Sequence, residues 1–74
     1  MVESNPGSAA DLFEQALQLH AANVEANYGF GYAQLQLGDK VRAQSHLCRA
    51  YSEGTVDVRR EVKGLLDQNQ LGCD

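Results

Sequence analysis

His20 and His46 are the candidate bases near neutral pH, and neither has a nucleophile set against it. Ser45 adjoins His46, yet neighbours on a helix diverge by about 100°. His46 and Cys48, two apart, also point in different directions, and His20 lies in another segment, so zinc ligation is not expected. The sequence holds no glycine-rich phosphate loop, no histidine–glutamate zinc motif and no nucleophile elbow. The expectation is a protein that is not an enzyme, with no catalytic residues, metal or cofactor. Cys48 falls beside Leu47 on the inner side of a predicted helix, where a small apolar thiol is at home, and Cys73 stands near the C-terminus. Two cysteines in a chain with no sign of secretion predict free thiols rather than an intramolecular disulfide.

The residues suited to binding are spaced differently. Tyr28 and Tyr32 lie four apart, which puts both rings on one face of a helix, each offering wide contact area and a polar tip. Arg59 and Lys63 share the same spacing further on. Either both rings face a partner, or one of them, Tyr32 before Tyr28, packs on the helix that carries the two cations.

Helices must hold these pairs. Ser4, Asn5, Pro6 and Gly7 have turn chemistry, and Ser8 with Asp11 three later reads as an N-cap with an acidic first turn. A first helix is expected from about residue 9 to 20, with Leu12, Phe13, Ala16, Leu17 and Leu19 at helical spacing. Asn23 caps a second helix near 24 to 37, whose inner face takes Ala26, Phe30, Ala33 and Leu37. Gly38 ends it, and Asp39 caps a third near 40 to 53 with Val41, Leu47, Ala50 and Tyr51 inward. Beyond Gly54 a fourth helix, about 57 to 70, turns Val58, Val62, Leu65 and Leu66 inward and Arg59, Arg60 and Lys63 outward. No segment alternates with a strand period, so the expected fold class is all-α: an antiparallel array of four helices.

The array repeats itself. Ala9, Phe13 and Ala16 fall 34 residues before Ala43, Leu47 and Ala50, and Gln34-Leu35-Gln36-Leu37-Gly38 returns at the same offset as Gln68-Asn69-Gln70-Leu71-Gly72. A period of that length marks stacked helix-turn-helix units, none of which buries its apolar face alone. With Gly31, Gly38-Asp39, Ala43, Leu47 and Ala50 in the central unit, the chain resembles the tetratricopeptide repeat (TPR) family from about Ser8 to Gly72. It departs where Asn27 replaces a large apolar residue, where Gln34 replaces a frequent Tyr, and where Gly64-Leu65 inverts the order of Phe30-Gly31. In family terms the helices read B, A, B, A, so the A helix that pairs with the first B helix is not in this sequence. The expected layout is an N-terminal flexible segment over 1–7, a repeat domain over 8–72 and a tail at 73–74.

What the resemblance implies is a protein-interaction module that binds a peptide or helix on a concave groove lined by A helices. By register the second helix offers Glu25, Tyr28, Tyr32, Leu35 and Gln36 to that groove, and the fourth offers Arg59, Val62, Leu66, Asn69 and Gln70, with Lys63 beside Arg59 as a second cation. A basic pair in this register is similar to that of TPR domains which clamp acidic chaperone tails, but Gly29 stands where such clamps place an Asn. Two further readings are kept: self-assembly into a homo-oligomer through Leu12, Phe13 and Leu17 on the open edge of the first helix, and a small chaperone of the secretion type.

Composition limits the partners. The net charge of −4 disfavours nucleic acid, because phosphate binding rests on clustered Lys and Arg. Residues 1–39 hold Glu3, Asp11, Glu14, Glu25 and Asp39 with no Lys or Arg, whereas all six basic residues lie in residues 40–63. No apolar run approaches the ~20 residues of a membrane span, and no basic segment followed by an apolar one stands near Met1, so no membrane insertion and a cytoplasmic location are expected by default.

Overall fold

In the computed structural model, which describes residues 6–73, four helices follow one another: α1 (Pro6–Leu19), α2 (Val24–Leu37), α3 (Lys40–Glu53) and α4 (Val56–Gln68). The expected all-α array is therefore the fold, with no strand among the described residues. Each helix packs on the next along the chain. Moving the end of α1 at Leu19 forward by 34 residues gives the end of α3 at Glu53, so the period seen in the sequence is also a period of the structure.

Local chemistry sets the helix ends. The Asn23 side chain accepts from the Ala26 N–H at 2.9 Å, and Asp39 accepts from the Arg42 N–H at 3.1 Å. Between them Gly38, at φ 88°, takes the left-handed conformation that carries its own N–H to Leu35 O and that of Asp39 to Gln34 O. Two ends differ from expectation. Helix α1 already runs at Pro6, the first described residue, so Ser8 lies inside the helix rather than at its cap; Ser4 and Asn5 are outside the described residues. Helix α4 is capped by Thr55, which accepts from the Val58 N–H at 3.4 Å, and it ends at Gln68.

The C-terminal end carries the largest correction. Gln70, not Gly72, takes the left-handed turn, at φ 59°, two residues before the position equivalent to Gly38. The chain turns there and runs back along α3. Leu71 packs against the core, the Gly72 carbonyl accepts from the Gln44 side chain, and Cys73 reaches Cys48. Contrary to the expectation of two free thiols, Cys48 and Cys73 form a disulfide, with Cα atoms 5.4 Å apart. Spacing could not reveal this, because the pairing depends on the reversal at Gln70.

Two clusters make the core, and α2 belongs to both. Ala43, Leu47 and Ala50 of α3 meet Val62 and Leu66 of α4, with Val24, Tyr28 and Leu35 of α2 packed on them. On its other side α2 sends Phe30 and Ala33 to Ala10 of α1, flanked by Ala9, Phe13 and Leu17. Gly31 lets α2 and α3 approach: a Cβ there would lie 2.7 Å from Leu47 Cγ. Leu37 and Val41, expected inward, are at the surface instead, the latter 80% exposed, and Leu12 and Leu19 of α1 are exposed as well. They sit at helix edges, or on the side of α1 that no helix covers.

Asn27 explains its own departure from the family pattern. It is 1% exposed, and its Nδ2 donates to Ala21 O and Asn23 O, both at 2.9 Å. Its Oδ1 is left to accept from His46 Nδ1 at 2.9 Å, so that nitrogen carries the proton. A large apolar side chain would fill the space but take this partner from Ala21 O and His46 Nδ1, whereas Asn23 O would keep the backbone N–H of residue 27. The His46 ring also meets Phe30 edge-on, with centroids 4.5 Å apart.

Burial, then the Arg42 and Arg49 charges, hold the His46 pKa below its usual value against a smaller opposing pull from Glu14. The folded state thus resists a proton that the unfolded chain accepts near pH 6.5. Its contribution is complete above that pH and shrinks as pH falls through it. Urea midpoints taken from pH 7.5 to 5.5 should decline, and His46→Gln should flatten that part of the decline. An unchanged slope in the variant would mean that other groups set it.

Candidate partner-binding cleft

Helix α1 crosses α2 but covers only part of it. Between them lies an open cleft of about 480 Å³, with Ala9 and Phe13 on the α1 side. The α2 side is Glu25, Tyr28, Gly29, Tyr32, Ala33 and Gln36. The floor is formed by the Phe13 ring, which rests on Gly29 so closely that a Cβ at that glycine would overlap it. Among the described residues that line the cleft, Glu25 alone is charged. An apolar recess with a few polar groups at its edge is the usual form of a recognition site.

The two tyrosines have unequal roles. Tyr32 is 46% exposed at the cleft, a large ring held open to solvent. Tyr28 is half-buried and packs against the α3–α4 cluster while its edge reaches the cleft. The ring that packs toward the fourth helix is thus Tyr28, the reverse of the order expected. Burial first, then the charges of Glu61 and Tyr32, push the Tyr28 hydroxyl pKa up, so it stays a neutral donor through the physiological range.

The other sequence-predicted positions separate. Gln36 is exposed on the cleft, whereas Leu35 is half-buried against the α3–α4 cluster. Val62 and Leu66, expected to line a groove between the second and fourth helices, are core residues at 0% and 5% exposure and present no surface to a partner. They are held there because α4 turns this stripe onto α3, and Val24, Tyr28 and Leu35 of α2 pack on the cluster the two helices form. Arg59 donates from Nε to Tyr51 O at 3.1 Å and sets its guanidinium 5.7 Å from the Tyr51 ring centroid. Lys63 pairs with Asp67 at 3.7 Å. These cations therefore engage their own chain, and such exposed pairs contribute little to stability.

On α1, Phe13 and Leu17 turn toward α2 while Leu12 remains 67% exposed, so the three do not share one open patch. Leu17 instead joins Phe30, Val41, Arg42, Ser45 and His46 around a second cavity of about 420 Å³. Ser45 and His46 share that cavity, but the His46 Nδ1 proton is committed to Asn27. The cleft's own residues Ala9, Gly29 and Ala33 escaped sequence reasoning, since small side chains announce a recess only once the neighbouring helix is placed.

Short antiparallel helices that repeat at 34 residues and bury small residues at their crossings define a helical-hairpin repeat protein. The tetratricopeptide repeat model matches residues 3–54, and the chain belongs to that family, whose members are in general protein-interaction modules. The match covers α1 to α3 and ends at Gly54, ahead of α4. No curated protein and no solved structure matches the chain. Among the described residues no helix is long and apolar enough to cross a membrane.

Proposed function

We propose that this protein is an interaction module that takes a segment of another protein into the α1–α2 cleft. Tyr32 is the anchor, Phe13 on Gly29 is the floor, and Glu25 and Gln36 form the rim. The observation that carries this reading is the half-exposed Tyr32 ring beside an apolar recess, a combination that recognition surfaces favour. It moves the site from the groove between α2 and α4 to the other side of α2. Arg59 and Lys63 then act at a distance, on association rate and salt dependence more than on affinity. The Cys48–Cys73 bond weighs against a cytoplasmic placement, because disulfides persist mainly in oxidising compartments.

The test is a peptide library displayed on phage and selected against the folded, oxidised protein. Binders should lose at least about 1 kcal/mol of affinity, roughly fivefold or more, toward Tyr32→Ala, and much less toward Arg59→Ala at ordinary salt. Binders that retain full affinity for a folded Tyr32→Ala variant would place the site elsewhere.

A further inference from the structure

The internal period identifies what the cleft is shaped to hold. Four of its residues, Ala9, Phe13, Tyr28 and Tyr32, fall 34 positions before Ala43, Leu47, Val62 and Leu66. Those four are 0%, 0%, 0% and 5% exposed, because α2 lies on them and brings Gly31 against Leu47. The same recess therefore occurs twice in this fold. One repeat on, it is filled by a helix; at the α1–α2 edge it is open.

We infer that the α1–α2 cleft receives one amphipathic helix of a different protein, which sets a glycine or alanine against Phe13 and a lysine or arginine toward Glu25. This rests on the reading of the cleft as the partner site and adds the shape and charge of the partner. A helix is favoured over an extended strand because the filled counterpart holds a helix. A small residue is required at the crossing for the reason that Gly31 is required at Leu47: a larger one forces the axes apart. The cation follows from the charges on this side of the molecule. Glu25 lines the cleft, Glu61 is near enough to act on Tyr28, and no Lys or Arg occurs before residue 40.

A second copy of this chain fits poorly. Its α2 is already enclosed between α1 and α3, so α4, the repeat equivalent of α2, is the helix of that kind it has to offer. Where α2 has the buried Asn27, Phe30 and Gly31, α4 has Glu61, Gly64 and Leu65. Glu61 would bring a charge to a buried position, Gly64 removes the aromatic anchor, and Leu65 is bulky where the axes must approach. Two clefts placed face to face would oppose one Glu25 with another.

The probe is a hydrocarbon-stapled peptide of residues 22–39, the α2 sequence with its caps, carrying Glu25→Lys. Fluorescence anisotropy should show saturable binding to the oxidised protein. Gly31→Leu in the peptide should weaken it at least tenfold, as should Tyr32→Ala in the protein, and restoring Glu25 in the peptide should weaken it most at low salt. No saturable binding, or a peptide indifferent to Gly31→Leu, overturns the inference. So does a wild-type protein that dimerises through this cleft, detected by light scattering and abolished by Tyr32→Ala. If displayed binders still need Tyr32 while the stapled helix fails, the partner site stands and its helical occupant does not.

Discussion

Leu47→Ala should lower the unfolding free energy by about 2–5 kcal/mol, a large share of what a chain of this size has in reserve. Leu47 is 0% exposed, and its side chain fills the junction at which α2 closes on α3 through Gly31. Truncation loses both the transfer energy of the removed carbons and the contacts of the walls around the cavity. Phe13 holds the same place one repeat earlier but is only partly covered, so Phe13→Ala should cost distinctly less despite the larger side chain. Urea unfolding of the two variants measures the difference. Equal losses would mean that the two positions are equally enclosed, which contradicts the open cleft. A loss below about 1 kcal/mol at Leu47 would contradict the core itself.

Opening the Cys48–Cys73 bond should cost about 3.5 kcal/mol. The bond spans 25 residues, and a loop of that length confines the unfolded chain by roughly that amount in the chain-entropy account. It also holds Leu71 against the α3–α4 cluster and the Gly72 carbonyl near Gln44. Cys73→Ser should therefore leave the helical circular dichroism signal intact, lower the urea midpoint and expose the amides of residues 70–73 to exchange. Wild-type protein in reductant should behave as the variant does. Identical midpoints with and without reductant, with the bond verified by mass spectrometry, would show that the tail contributes nothing.

Most of the fold was legible because independent local signals agreed. The caps at Asn23 and Asp39, the stop at Gly38 and the small residues Gly31, Ala43 and Ala50 all described the same hairpin before any coordinates. Where one signal stood alone it failed. Ser8 has the side chain of a cap but lies inside α1, and Val41 has an apolar side chain yet is 80% exposed. The disulfide was hidden for a different reason. It depends on the left-handed turn at Gln70, a non-glycine residue that nothing in local pattern marks, while Gly72 carried the more familiar signal.

The site was half legible. The spacing of Tyr28 and Tyr32 pointed to the helix that lines the cleft, yet register alone assigned both to a groove shared with α4 and counted Val62 and Leu66 among its walls. The helical period says which residues share a stripe, not which neighbour covers it. Here α4's apolar stripe closes on α3 and α2 packs on the cluster they form, which leaves the opposite edge of α2, with Tyr32, Gly29 and Ala33, beside a single turn of α1 side chains. Small residues gave no warning of the recess that they create.

The central claim is that the open side of α2, rather than the basic face of α4, is where another protein binds. A titration of isotopically labelled protein with the stapled α2-type helix, followed by amide chemical-shift mapping, tests it directly. The account predicts shifts concentrated at Ala9, Phe13, Gly29, Tyr32 and Ala33, with Arg60, Lys63 and Gly64 unmoved. Shifts centred on α4, with the amides of Gly29 and Ala33 unchanged at saturation, would contradict it.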